Sequence, residues 1–332
     1  MTATAAGRWS TCTVADVADV ADGVRAVTLQ RPPGGPAGHP VAAGAHVDVL
    51  VPVQGRDEVR SYSVVDADVA TGRLRIAVRL AGSGAGGSAY VHTLEPGDRI
   101  RVSAAVQSFP LTRGRPGYVL VAAGIGITAL LPMLRELTAA GADVRLVYVG
   151  RRRSAMAFLD ELEAGHPCQV EAVVGDEGGR LEVRELVQQV PAGHELYVCG
   201  PVRLLDALRA AWAEAGRDPQ RLRFETFGGG GRHLPQAFEV EVPAQGLRVS
   251  VPVGTSLLDA LRGAGAEMMF DCRRGECGVC EVRVLACEGE IDHGDVFLSP
   301  EQRARGRTLC SCVWRAVAAD AGTPALLTLQ LP

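Results

Sequence analysis

Three cysteines, Cys272, Cys277 and Cys280, fall inside the run Asp271-Cys272-Arg273-Arg274-Gly275-Glu276-Cys277-Gly278-Val279-Cys280. A C-x4-C-x2-C rhythm gathers three thiolates into one tight loop, and thiolates are soft ligands suited to iron or zinc. Zinc sites favour paired C-x2-C elements, and disulfide frameworks belong to short secreted chains. This spacing, with further cysteines about thirty residues on, instead suits a two-iron, two-sulfide cluster that carries one electron. Gly275 and Gly278 let the backbone wrap close to the sulfur atoms and aim amides at them.

The loop resembles that of the plant-type [2Fe-2S] ferredoxins, and the resemblance leaves two candidates for the fourth ligand. Twenty-nine residues separate Cys280 from Cys310, which is the usual family spacing, and Cys312 stands two residues further on. The segment Glu288-Gly289-Glu290-Ile291-Asp292-His293 normally follows the preceding strand directly, so Ala286-Cys287 reads as a two-residue insertion that shifts the count. The run Cys312-Val313-Trp314-Arg315-Ala316 also resembles the Cys-Val-x-Arg-Ala that closes the family motif. The expected set is therefore Cys272, Cys277, Cys280 and Cys312, with Cys310 as the alternative.

Other elements must position this loop and feed it. The chain has 332 residues, enough for two or three domains, and 47% hydrophobic content. A net charge of -4, with no basic tail, argues against nucleic-acid binding. Lysine and asparagine are absent, which reads as codon bias. The segment Met1 to Cys12 lacks the apolar core of a signal peptide, so a cytoplasmic protein is expected, and nine cysteines there point to metal or redox chemistry. The longest apolar stretch, Tyr118 to Leu134, is interrupted by Gly124, Gly126 and Pro132, and reads as a buried strand and a helix, with no membrane span.

Punctuation divides the chain. Residues 1–112 read as short alternating strands split by turns such as Pro32-Pro33-Gly34-Gly35 and Glu95-Pro96-Gly97-Asp98, which predicts a closed or nearly closed antiparallel β-barrel. Residues 113–228 alternate strand and helix. Strands are expected over Tyr118–Ala123, Asp143–Val149, Val170–Val174 and Leu196–Cys199, as in an α/β doubly wound parallel sheet. The run Gly228-Gly229-Gly230-Gly231 begins a linker, placed at 229–236, before a C-terminal α+β domain, 237–332, of the β-grasp kind that carries plant-type clusters.

The first parallel strand opens through Gly124-Ile125-Gly126-Ile127-Thr128 onto a helix, where glycines admit a pyrophosphate and a helix N-terminus attracts it. The third glycine of the dehydrogenase fingerprint is missing, and Tyr148-Val149-Gly150 leads into Arg151, not an acidic residue. Alone, the segment serves equally as a tight strand-to-helix turn. A second turn, Cys199-Gly200-Pro201, ends another strand, so both should border one crevice beyond the strand ends.

Together these turns resemble the pyridine-nucleotide domain of the ferredoxin reductase superfamily. The resemblance implies that Gly124, Gly126 and Thr128 hold the pyrophosphate, that Cys199, Gly200 and Pro201 border the nicotinamide, and that Arg151 and Ser154 take the adenosine ribose. It also makes Phe227, in Glu225-Thr226-Phe227, a candidate to lie against the flavin. Relatives place proline directly after the threonine; here Ala129 follows, and Pro132 is expected in the first helical turn.

The barrel carries Arg60-Ser61-Tyr62-Ser63, which resembles the superfamily's Arg-x-Tyr-Ser flavin motif. The resemblance implies phosphate binding by Arg60, a ring contact by Tyr62 and a place near the hydride-accepting nitrogen for Ser63. Arginine pairs bidentately with phosphate. Gly86, Gly87 and Ser88 match the family's Gly-Gly-Ser phosphate loop, with Ala85 where relatives commonly have arginine, so Arg60, helped by Arg79, carries more of the charge. The order barrel, nucleotide domain, ferredoxin is similar to the phthalate dioxygenase reductase family. That likeness implies FMN, a [2Fe-2S] cluster and NADH, with NADPH left open by Arg151, Arg152 and Arg153. The implied partner is a terminal oxygenase of the Rieske non-haem iron type that hydroxylates or demethylates aromatic or other small organic substrates. A haem-thiolate monooxygenase is the alternative partner, and an iron–sulfur redox sensor a distant alternative function. No side chain is expected to act as a general acid or base. Arg273, Arg274 and Glu276 on the cluster loop either dock the partner or simply solvate an exposed loop.

Overall fold

The computed structural model describes residues 9–32, 41–53, 55–81, 86–165, 169–227, 233, 236–319 and 323–332. The expected turn at Pro33-Gly34-Gly35 and the glycine run at 228–231 lie outside them. The chain forms two compact units, one of residues 1–200 with 207–225 and the other of 201–206 with 226–332.

The first unit begins with β1 (Trp9–Ala21), β2 (Val24–Gln30), β3 (Ala45–Val53), β4 (Arg56–Asp68), β5 (Arg73–Arg79), the short helix α1 (Gly87–Thr93), β6 (Arg99–Ser103) and β7 (Val106–Gln107). The strands run β4-β5-β2-β1-β6-β3-β7, and a further β3–β4 pairing closes an antiparallel barrel of six strands, as expected. Period-two burial makes it: Val47, Val49 and Val51 of β3 and Leu74, Ile76 and Val78 of β5 all point into the interior. Glu95-Pro96-Gly97-Asp98 turns as expected, with the Asp98 amide donating to the Glu95 carbonyl at 3.1 Å.

The parallel sheet follows: β8 (Tyr118–Ala123), α2 (Ile127–Ala139), β9 (Val144–Gly150), α3 (Leu159–Gly165), β10 (Val170–Val174), α4 (Val183–Gln189), β11 (Glu195–Cys199), α5 (Val202–Glu214) and β12 (Leu222–Glu225). Its order is β10-β9-β8-β11-β12, with every pairing parallel. The chain winds outward from β8 to β10, then returns to the other side of β8 with β11. The switch point, where such sheets bind ligands, therefore lies between β8 and β11. Helices on its faces explain why β8 is buried along almost its whole length. The apolar stretch from Tyr118 resolves into β8 and α2, and among the described residues no helix is long and apolar enough to cross a membrane. One expectation is corrected here: α2 starts at Ile127, so Pro132 stands inside the helix, not in its first turn. It cannot donate to the carbonyl four residues back, and burial of the flanking Leu131 and Met133 outweighs that loss.

The second unit contains β13 (Phe238–Val242), β14 (Leu247–Val251), α6 (Leu257–Gly263), β15 (Glu281–Glu288), β16 (Glu290–Asp292), α7 (Pro300–Arg305), β17 (Thr308–Cys310), β18 (Arg315–Val317) and β19 (Leu326–Gln330). The order β14-β13-β19-β15-β17 makes a mixed sheet, with β13 and β19 parallel at its centre, and β16 pairs with β18 beside it. Leu257, Leu258 and Leu261 of α6 pack onto this sheet, and Ser256 caps the helix by accepting from the Asp259 amide at 3.0 Å. A bulge between Val284 and Ala286 shifts the register of β15 on β19, next to the inferred Ala286-Cys287 insertion.

The connector between barrel and parallel sheet is fixed by buried polar groups. Glu195 is fully buried; it accepts from Arg115 Nε at 2.8 Å and from the Tyr197 hydroxyl at 2.9 Å. That hydroxyl in turn accepts from the Thr112 amide at 2.8 Å. Arg115→Ala leaves a desolvated carboxylate short of its cation, at a cost of about 2 kcal/mol. The expected outcome is a lowered urea midpoint with unchanged slope.

Candidate functional site

At the switch point the two glycine-containing turns touch. A Cβ added to Gly126 would lie 2.2 Å from the Cys199 carbonyl oxygen and 3.2 Å from the Gly200 amide nitrogen. Gly126 is needed for this close approach, since its φ of -58° suits any residue. Gly124 instead sits at φ +56°, in the left-handed region. The turn is a single 3-10 turn, Gly124–Gly126, that runs into α2. Thr128 is buried, and its hydroxyl donates to the Ile125 carbonyl at 2.9 Å. Cys199 is fully buried beside Glu225 in the β11–β12 ladder. The Pro201 carbonyl accepts the Leu204 amide at 2.9 Å as α5 begins.

The residues expected at the ribose have other engagements. Arg151 and Ser154 are exposed. The Ser154 hydroxyl donates to Asp22 Oδ2 at 2.5 Å, and its carbonyl accepts from the Asp22 amide at 2.7 Å, so the segment is tied to the β1–β2 turn. Arg153 pairs with Glu163 and Glu177, each at 2.9 Å. Its hydrogen bond to Glu177 holds that carboxyl below its ordinary range.

In the barrel, Arg60 and Tyr62 share one face of β4, opposite Val49 and Val47 of β3, and Ser63 lies opposite His46. The Arg60 side chain runs along the Gly86-Gly87 turn: a Cβ on Gly87 would meet its Nε at 3.0 Å. Gly86 is left-handed at φ 87° as it enters α1, and Ser88 Oγ accepts from the Ala81 amide at 3.1 Å. One guanidinium and a glycine turn thus converge, as a phosphate group requires. Arg60 meanwhile pairs with Glu58 at 2.5 Å. Burial pushes the Tyr62 hydroxyl up to about 12, against the pull of Arg60. It is therefore a neutral donor at ordinary pH, suited to lie on an apolar ring. Arg79 is exposed at the end of β5, and Phe227, in the second unit, is 39% exposed.

In the second unit the expected thiols come together. Cys312 hydrogen-bonds to both Cys272 and Cys280, whereas Cys310 reaches Cys280. Cys272 also contacts Cys277. The bond from Cys312, aided by the Arg274 and Glu276 amides, draws Cys272 down to about 4 against burial. Bonds from Cys310 and then Cys312 draw Cys280 down to about 3. Both amides sit 3.4 Å from Cys272 Sγ. Gly275 and Gly278 are left-handed at φ 74°; a Cβ on the first would meet Val313 at 2.6 Å, and on the second the Phe297 ring at 2.3 Å. Among the described residues no three potential ligands converge on one point as a single ion would require. A two-iron centre asks for two thiolates per iron, and a thiol group spread over a loop and a facing turn, with amides already aimed at sulfur, fits it.

The charges on the cluster loop do not face outward as expected. Arg274 is buried, 3.7 Å from Glu276, and Glu276 accepts from the Thr226 amide at 2.7 Å. Burial raises the Glu276 carboxyl above its ordinary range. Arg273 donates to Asp259 at 2.8 Å and lies over Phe270. Turning the backbone around the sulfurs directs Arg274 and Glu276 back into their own unit, while Arg273 pairs with Asp259 and stays partly exposed.

One buried polar group escaped the sequence. His46 Nδ1 lies 2.9 Å from Ser108 Oγ, which donates to Glu225 at 3.3 Å, and Ser61 donates to Asp48 at 2.6 Å. His46, Asp48 and Glu225 are all buried. The group joins residues far apart in the chain; its only sequence trace is two polar residues alternating with valines in β3.

Closed barrel, open parallel sheet and thiol-bearing mixed sheet define a modular oxidoreductase with flavin and [2Fe-2S] centres. Residues 12–110 match the oxidoreductase FAD-binding domain and residues 240–317 the 2Fe-2S iron-sulfur cluster binding domain. The chain is 37% identical over 82% of its length to the phenoxybenzoate dioxygenase subunit beta of Ectopseudomonas oleovorans, covering 84% of that protein. It is 31% identical over 92% of its length to the phthalate dioxygenase reductase of Burkholderia cepacia, covering 94% of it. A solved phthalate dioxygenase reductase, described as a modular structure for electron transfer from pyridine nucleotides to [2Fe-2S], superposes with a TM-score of 0.76 at 29% identity, covering 97% of this chain and 98% of that one. An intact type IV self-sufficient cytochrome P450 monooxygenase gives a TM-score of 0.66 at 36% identity over 97% of this chain, which spans 41% of that protein. The chain belongs to the phthalate dioxygenase reductase family.

Gly126→Ala drives a methyl group into the Cys199 carbonyl. The two turns must part, which is expected to cost about 1–3 kcal/mol of stability and to weaken dinucleotide binding roughly tenfold or more. Thermal unfolding and titration of the oxidised flavoprotein with NAD+ read the two effects.

Proposed function

We propose that this reductase takes hydride from NADH onto FMN and forwards electrons one at a time through a cluster on Cys272, Cys277, Cys280 and Cys312 to a terminal Rieske non-haem iron oxygenase. The observation that supports this most is the likeness to phthalate dioxygenase reductase along nearly the whole of both chains. Flavin supplies the step between a two-electron hydride donor and one-electron carriers. The chain's own residues bind and orient. Arg60, with Gly86, Gly87 and Ser88, takes the flavin phosphate, while Tyr62 and Ser63 face the ring. The Gly124–Thr128 turn takes the pyrophosphate, and Cys199, Gly200 and Pro201 border the nicotinamide. Phe227 is the aromatic residue assigned to the flavin, and Arg151 and Ser154 the ribose contacts. The main-chain amides of Arg274 and Glu276 stabilise thiolate charge at Cys272.

A haem-thiolate monooxygenase is the second partner reading, favoured by the likeness to a self-sufficient P450 that contains a comparable segment. NADH steadily reducing cytochrome c, with FMN released on denaturation, is the expected behaviour. Product formation with a Rieske oxygenase but not with a haem-thiolate one selects the first partner and the reverse result overturns it; FAD in the extract overturns the choice of FMN alone.

Arg153 is held by two carboxylates, which compete with a 2′-phosphate for its guanidinium and repel one. NADH is therefore expected to have the higher kcat/KM. The Glu163→Gln, Glu177→Gln double variant frees the guanidinium and should raise the NADPH-to-NADH ratio of kcat/KM severalfold, chiefly through KM for NADPH. An unchanged ratio would show that Arg153 lies away from the ribose.

A further inference from the structure

Cys310 is the thiol that touches the proposed ligand set without belonging to it. It is fully buried at the end of β17, opposite Glu281 in the ladder with β15, and hydrogen-bonds to Cys280. Cys312 reaches Cys280 as well. The residue between them is clamped: the Ser311 amide and hydroxyl both donate to the Cys280 carbonyl, at 3.1 and 2.9 Å, and the Ser311 carbonyl accepts from the Leu258 amide at 2.9 Å. The Cys310 carbonyl accepts from the Val313 and Trp314 amides, both at 3.2 Å. One rigid turn therefore presents two thiols to the same partner sulfur. A buried thiol in that place is more than a small apolar residue, because metal lability and thiol chemistry set its consequences more than its packing does.

Resting on the assignment of Cys312 as fourth ligand, we propose that Cys310 is a reserve ligand that replaces Cys312 in the cluster when Cys312 is lost or detached. In the exchange the Cys310 S–H bond breaks, its proton goes to solvent and a sulfur–iron bond forms. The Cys312–iron bond breaks, and where that thiolate is present it takes up a proton. No electrons move, so the exchange needs neither oxidant nor reductant. Because Cys310 already contacts Cys280, the swap requires a side-chain rotation and leaves the clamped Ser311 backbone in place.

The full-length flavoprotein, reconstituted anaerobically with iron and sulfide, tests this through Cys312→Ala, Cys310→Ala and the double variant. Iron and sulfide content, visible circular dichroism and the electron paramagnetic resonance of the reduced protein are read beside bound flavin, which reports that the rest of the chain is folded. The expected result is a cluster retained in full in Cys310→Ala, a retained cluster with a shifted spectrum in Cys312→Ala, and loss of the cluster in the double variant. Cys312→Ala as iron-free as the double variant, with flavin retained, would overturn the reserve role while leaving the cluster assignment standing. Loss of the cluster in Cys310→Ala alone would overturn both this proposal and the choice of Cys312. A wild-type chain that binds no iron would sink the cluster reading itself. If Cys312→Ala does not accumulate, Cys312→Ser with and without Cys310→Ala asks the same question: a cluster that persists in both is held by the serine oxygen and refutes the proposal, and one that vanishes with Cys310 supports it.

Discussion

At the sites proposed for this chain's chemistry, backbone comes within van der Waals distance of another backbone, of a guanidinium and of packed side chains, and an added Cβ would crowd each approach. Gly126 against the Cys199 carbonyl, Gly87 against Arg60, and Gly275 and Gly278 against Val313 and Phe297 are four cases of one constraint. Amides and small charged groups bind anions and thiolates well only when nothing intervenes. The larger elements serve these approaches. Parallel β8 and β11 set the two glycine-containing turns side by side, β3 and β4 set Arg60 and Tyr62 on one face, and β15 with β17 brings the Cys310-Ser311-Cys312 turn to Cys280.

This constraint also explains how much was legible beforehand. Glycines and cysteines at fixed spacing are local signals, so the cysteine loop, both glycine-containing turns and the Arg60-Ser61-Tyr62-Ser63 run could be picked out without a fold, with their ligands left as proposals. Strands buried on both faces announce themselves as short apolar runs: Tyr118–Ala123 and Val170–Val174 end where the sequence says they should. The alternating valines of β3 and the apolar positions of β5 likewise mark a barrel wall.

Long-range pairing was illegible, because nothing local marks it. Ser154 meets Asp22, and Ser108 meets both His46 and Glu225; each pairing depends on how the barrel and the parallel sheet pack within the first unit. Pro132 misled for a related reason. Proline is disfavoured inside a helix by local rules, and tertiary burial on either side of it overrides them. The fourth cluster ligand sat between the two cases. Spacing favoured Cys310 and motif favoured Cys312, and the fold brings both to Cys280 because they share one turn.

Charge on the cluster loop deserves a different physical account from the one its composition suggests. Arginine and glutamate in an exposed loop would contribute steering that salt screens over roughly 10 Å. Here Arg274, Glu276 and Arg273 have their partners within the second unit, and Glu276 is held by the amide and hydroxyl of Thr226. Removing one member strands a partly desolvated charge, so its first effect falls on the loop's conformation and, through the amides of Arg274 and Glu276, on the sulfur of Cys272. Loss of electron transfer in such a variant would then accompany a changed cluster spectrum. A docking residue, by contrast, would leave the spectrum intact and alter only the salt dependence of association. That contrast separates charges that build the centre from charges that present it.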